Sequence, residues 1–99
     1  MNSDRLLSAV SMARGAGKLK IGYDATADAV IKGAPLVIIA SDASERTRTA
    51  VERFCEDMTT LVELSRTQEE IENSVGRRFA VAAVCDENFA ALIEKQLSK

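Results

Sequence analysis

The sequence predicts an α/β fold, a three-layer α/β/α sandwich around a sheet of about four strands. Three observations point there. Segments with helical spacing of apolar residues alternate with short strand-like runs along the chain. Two of those runs, "LVIIA" and the "AVAAVC" of "RFAVAAVC", are continuously apolar, the pattern of strands covered on both faces by helices. No repeat, linker or low-complexity segment interrupts the pattern, so residues 1–99 read as one domain.

The elements follow in order. "SDRLLSAVSMARGAG" is a helix with Ser3 or Asp4 as N-cap. Leu6, Leu7, Val10 and Ala13 or Arg14 recur at helical spacing, and Gly15 or Gly17 ends the run. "KLKI" is a short strand, and "YDATADAVIKG" a second helix stopped by Gly33 and Pro35. "LVIIA" is a buried strand. "SDASERTRTAVERFCEDM" is the clearest helix: Thr47, Ala50, Val51, Phe54, Cys55 and Met58 form one apolar stripe, and Asp42 with Glu45 resembles a capping box. "TLVEL" is a short strand. "TQEEIENSVG" is a short helix with Thr67 and Glu70 as a second capping box. "RFAVAAVC" is the other buried strand. "DENFAALIEKQLSK" closes the chain as a helix capped by Asp86 and presenting Phe89, Leu92 or Ile93, and Leu97.

Composition narrows the function classes. Apolar residues make up 46% and charged residues 28% of the 99, an ordinary globular balance. The longest apolar run, "APLVIIA", is far shorter than the ~20 residues of a membrane helix. The N-terminus has no basic segment before an apolar core, so it does not read as a signal peptide, and the expected location is cytoplasmic. The chain has no His, which removes the commonest general base and metal ligand, and no cofactor is expected. Cys55 and Cys85 share no metal-type spacing and stand in apolar stretches, so both are expected to be structural thiols. A net charge of −2 argues against a partner held by phosphate electrostatics alone.

Taken singly, the candidate motifs are weak. "GAGK" at 15–18 follows a helix instead of joining a strand to one, so it reads as a helix C-cap and not a phosphate loop. Asp24 and Asp28 stand one helical turn apart, but no third ligand or base accompanies them, and acids at a helix start are stabilising in themselves. Arg77 and Arg78 precede the last strand, and Lys18 and Lys20 flank the first; on composition each reads as surface charge. From the residues alone the chain is a non-enzymatic α/β domain.

The order of elements and several phrases carry more. "LLSAVSMARGAGKLKIG", "VIKGAPLVIIASDAS" and "SVGRRFAVAAVCDENFAALI" together resemble the ribosomal protein L7Ae family, which also holds L30e, and the chain is closest to its small bacterial members. The similarity runs from about Leu6 to Leu97, and "LVIIA" followed by Asp42, Ala43 and Ser44 is especially characteristic. The resemblance implies a sandwich with a mixed sheet and a non-catalytic, ribosome-associated RNA-binding role. Members of the family recognise kink-turns, sharply bent RNA elements with tandem sheared G·A pairs. They do so through a G-x-N-E-x-x-K motif at the start of the second helix and through the loop before the last strand.

Laid on this chain, that motif places Gly22 at the glycine, Asp24 at the Asn, Ala25 at the Glu and Asp28 at the Lys, with Thr26 retained. Gly76, Arg77 and Arg78 fall in the second RNA-facing loop, and Lys18 and Lys20 flank the first surface. The resemblance therefore implies kink-turn or ribosomal RNA as partner, with Lys18, Lys20, Gly22, Asp24, Thr26, Asp28, Gly76, Arg77 and Arg78 at the contact. The carboxylates at 24 and 28 also point to an alternative, a diverged member that has left kink-turn recognition and serves as a protein-interaction module.

Overall fold

The computed structural model describes residues 4–97. In chain order these form α1 (Arg5–Gly15), β1 (Leu19–Ile21), α2 (Tyr23–Ile31), β2 (Leu36–Ile39), α3 (Glu45–Cys55), β3 (Thr60–Glu63), α4 (Gln68–Val75), β4 (Val81–Val84) and α5 (Glu87–Leu97). The four strands lie in the order β1-β4-β2-β3. β4 is antiparallel to both β1 and β2, and β2 is parallel to β3, so the sheet is mixed.

β2 and β4 are the two inner strands, and every residue in them is buried. Alternation then splits their side chains between two half-cores. Leu36, Ile38, Ala82 and Val84 pack with Leu7 and Val10 of α1, Ile71 of α4 and Ile93 of α5. Val37, Val81 and Ala83 pack with Ala29 and Val30 of α2 and Val51 and Cys55 of α3. The continuous aliphatic runs are thus what a sheet with helices on both sides requires.

Backbone bonds gather several element starts at one end of the sheet. Gly22 N–H donates to the Val81 carbonyl at 3.0 Å, Ala40 N–H to the Ala80 carbonyl at 2.8 Å, and Ser41 N–H to the Arg66 carbonyl at 2.8 Å. The start of β4 therefore lies between the entrances to α2 and α3. Lys18 marks the opposite end, where its carbonyl accepts from Cys85 N–H at 2.8 Å.

Three local expectations need correction, and one alternative is resolved. The N-cap of α3 is Ser44, whose Oγ accepts from Thr47 N–H at 3.1 Å; Asp42 instead accepts from Gln68 N–H at 2.9 Å and ties the β2 exit to the start of α4. Met58 is exposed because α3 ends at Cys55, before the stripe reaches it. Cys55 is buried, and burial pushes its thiol pKa up, but Cys85 is exposed because it lies one residue past the end of β4. Ser3, the other possible cap of α1, lies outside the described residues; Asp4 fills that role, accepting from Leu7 N–H at 3.1 Å.

Asp4 does more than cap. Arg66 Nε donates to its Oδ2 at 2.6 Å and Arg66 Nη2 to its Oδ1 at 3.3 Å, a two-pronged pair that fastens the start of α1 to the segment between β3 and α4. The hydrogen-bonded Arg66 guanidinium holds the Asp4 carboxyl below the usual carboxylate range. A lowered pKa stabilises the folded state fully only above the unfolded value, about 3.9, and that contribution is lost as pH falls through the folded-state value. Asp4→Ala removes both the cap and the pair, and should lower stability by about 2–4 kcal/mol in urea melts at pH 7. The gap between wild type and variant should shrink below pH 4. A gap that stays constant down to pH 2 would mean that the pair contributes nothing.

Candidate nucleic-acid interface

α2 begins without a side-chain cap. Asp4, Ser44, Thr67 and Asp86 each supply a carboxylate or hydroxyl to the first turn of another helix. At α2 the N-cap is Gly22, with φ 104° and ψ 161°, a region open almost only to glycine. The first N–H groups of α2 are therefore left without a side-chain cap, and Asp24 is the acid of its first turn. Gly22→Ala should cost about 1–3 kcal/mol from backbone strain, even though a Cβ there would meet nothing within 4 Å. An unchanged melting temperature in that variant would contradict the strain.

The loop from Gly76 to Ala80 leads into β4, whose first residue, Val81, accepts from Gly22 N–H at this helix start. Gly76 terminates α4 in the left-handed conformation, φ 86° and ψ 4°. Arg14 of α1 holds the turn in place: its Nη1 donates to the Val75 carbonyl at 3.2 Å. A Cβ on Gly76 would lie 3.4 Å from that same nitrogen. Arg77 and Arg78 are exposed, and Arg78 pairs with Glu72 at 3.2 Å.

The residues expected at an RNA contact separate into distinct groups. Gly22, Asp24, Gly76, Arg77 and Arg78 all belong to the α2 entrance or the loop that leads to its neighbour Val81. Asp28 is exposed one turn further along α2 and ion-pairs with Lys32 at 3.1 Å. Thr26 is not a surface residue: it is fully buried, and its hydroxyl donates to the Lys20 carbonyl at 3.5 Å. A threonine kept at that position is explained by packing beneath β1. Thr26→Val, close in shape, should cost less than about 1.5 kcal/mol and leave any surface binding unchanged. Lys18 stands at the far end of β1 from Gly22, and Lys20 is exposed between them.

Sequence reasoning overlooked two basic residues. Arg14 was available only as the end of an apolar face, because its partner is 61 residues away. Lys32 carried a readable signal, standing four residues after Asp28 on one helix face.

A mixed four-stranded sheet between two helical layers, with an uncapped helix start hydrogen-bonded to the first residue of β4, defines a protein of the three-layer α/β/α sandwich class. The family model described as "Ribosomal protein L7Ae/L30e/S12e/Gadd45 family" matches residues 4–92. The chain belongs to that family. No curated protein matches it. Among solved structures it is similar to a protein of unknown function from Bacillus halodurans, with a TM-score of 0.89 at 22% identity, covering 98% of this chain and 100% of that one. It is also similar to the Giardia lamblia 15.5kD RNA binding protein, with a TM-score of 0.74 at 18% identity, covering 99% of this chain and 89% of that one. At these identities the two likenesses establish the fold.

Proposed function

We propose that the protein is a non-catalytic, ribosomal-type RNA-binding protein whose contact surface is the α2 entrance together with the loop before β4. The observation that carries this reading is the Gly22–Val81 hydrogen bond. It sets an uncapped helix N-terminus beside a loop bearing Arg77 and Arg78, in a chain of a ribosomal-protein family. A helix N-terminus is a natural seat for a phosphate, and folded RNA is recognised through shape, backbone and unstacked bases. The Giardia relative, named as an RNA binding protein, shares the fold and supports the same reading.

Within RNA, the family resemblance favours kink-turn or ribosomal RNA elements. Titration of the purified protein with a kink-turn hairpin and with ribosomal RNA, each against a plain duplex at moderate salt, tests the reading. Binding to one of the two well above the duplex is the expected result; equal affinity for all three would sink the proposal.

A second reading is favoured by one observation. Asp24 and Asp28 present carboxylates where the family motif has a neutral donor and a lysine, and both are exposed. A protein partner with a basic face would suit that helix better than a phosphate would. Under this reading the native chain binds no RNA and one basic protein partner instead.

A further inference from the structure

The sheet has two edge strands, and β1 is the one that borders an open cleft. Cys85 N–H donates to the Lys18 carbonyl and Gly22 N–H to the Val81 carbonyl, so Lys18, Lys20 and Gly22 turn their backbone groups toward β4. By the alternation of an antiparallel ladder, Leu19 and Ile21 turn theirs away from the sheet. The side chains of these two residues pack on the α1 side, while that of Lys20 lies on the α2 side. β1 thus offers a short row of backbone donors and acceptors to an added strand.

The cleft, of about 470 Å³, lies where alternate side chains of such a strand would go. Ala25, Asp28, Ala29 and Lys32 form one stripe of α2 along it, and Lys20 lines it from β1. The two alanines give it an apolar floor. Lys32 is held by Asp28 at 3.1 Å, which leaves that end neutral. Lys20 is exposed and has no ion pair among the described residues, and the same holds for Lys18, two residues before it.

Charge selects the occupant. A second copy adding its own β1 in antiparallel register would set Lys20 opposite or diagonal to a lysine of its mate, which is repulsive. A carboxylate in the same place is attracted. In an extended peptide paired antiparallel with β1, the residue opposite Lys20 faces the α2 side and enters the cleft. A glutamate there suits both surfaces: its methylenes cover Ala25 and Ala29, and its carboxylate meets the Lys20 ammonium.

We propose that the β1 edge and the flank of α2 form a groove for an extended acidic peptide, bound by strand addition with a glutamate opposite Lys20. The inference goes beyond the RNA reading and does not depend on it.

A short peptide in which glutamate alternates with threonine and valine is the probe, and its lysine counterpart is the control. Binding is followed by amide hydrogen exchange of the nitrogen-labelled protein in NMR spectra. At about ten times Kd the glutamate peptide leaves roughly one-tenth of the protein free, so exchange at Leu19 and Ile21 should slow about tenfold. Lys20 N–H already faces β4 and serves as internal control. The lysine peptide should bind at least about tenfold more weakly, because like charges across a strand pair repel. In Lys20→Glu that preference should invert; the residue is exposed, and circular dichroism checks the fold. Failure of the glutamate peptide to bind overturns the proposal. Binding without slowed exchange at Leu19 and Ile21 overturns it too, since no strand would then have been added. Protection that appears without peptide and deepens with protein concentration would assign the edge to a second copy instead. None of these outcomes bears on the RNA titrations, which succeed or fail separately.

Discussion

The variant Asp24→Asn/Ala25→Glu/Asp28→Lys should bind a kink-turn hairpin at least about 100-fold more tightly than the native chain, a gain of about 2.7 kcal/mol. The changes restore the family motif behind Gly22, whose conformation is already in place. They raise the charge of the helix start by two, from two carboxylates to one carboxylate and one ammonium. A carboxylate about 5 Å from a phosphate costs on the order of 3 kcal/mol at an effective dielectric near 20 before salt. Screening reduces that figure, since the site is exposed. Each restored donor adds on the order of 1 kcal/mol or more. Two decades is thus a conservative sum.

The variant should stay folded, which makes the measurement clean. Asp24 and Asp28 are exposed, and the Asp28–Lys32 pair that the substitution breaks is a surface pair of small worth. Putting lysines at 28 and 32 adds a like-charge contact one turn apart, a few tenths of a kcal/mol. The acid lost from the first turn of α2 at 24 is replaced by one at 25. Affinity measured by calorimetry decides between the two functional readings. Native binding well above duplex, raised further in the variant, supports the RNA-binding surface. No native binding with tight binding by the variant supports the protein-interaction module. No gain at all would show that the α2 entrance does not face RNA in this chain.

How far the sequence already disclosed this architecture depends on the range of the interaction concerned. The two inner strands were legible because a strand buried on both faces has no polar alternation to hide in, and "LVII" and "VAAV" are buried at every position. The box at Thr67 and Glu70 was legible because its partners are three residues apart, and both of its hydrogen bonds form. Asp42 went astray for the converse reason. Its spacing to Glu45 satisfies the local rule, but a backbone N–H 26 residues away competes for the carboxylate, and Ser44 takes over the cap. The site shows the same division. Gly22 followed from the motif, whereas Arg14 bracing the Gly76 turn, the burial of Thr26 and the removal of Lys18 to the other end of the sheet all depend on tertiary packing. Periodicity and spacing carry no information about such contacts.

Ile38→Ala should be the most destabilising of the conservative core truncations, lowering stability by about 2–5 kcal/mol in urea melts. Ile38 is fully buried in the inner strand β2, and its side chain enters the half-core shared with α1, α4 and α5. Removing three carbons there leaves a cavity that cannot close easily, because β2 is flanked by β4 on one side and β3 on the other. A domain of this size has only about 5–15 kcal/mol in total, so the variant should unfold at much lower urea. The neighbouring substitution Val37→Ala removes less volume and opens toward the other half-core, under α2 and α3. It should cost less, about 1–3 kcal/mol, yet it should disturb the proposed RNA surface more, because α2 packs directly on that face. The two variants therefore separate stability from function: Ile38→Ala tests the frame, and Val37→Ala tests the seating of α2. A larger stability loss in Val37→Ala, with RNA affinity unaffected, would refute the division of the core into two faces of unequal functional weight.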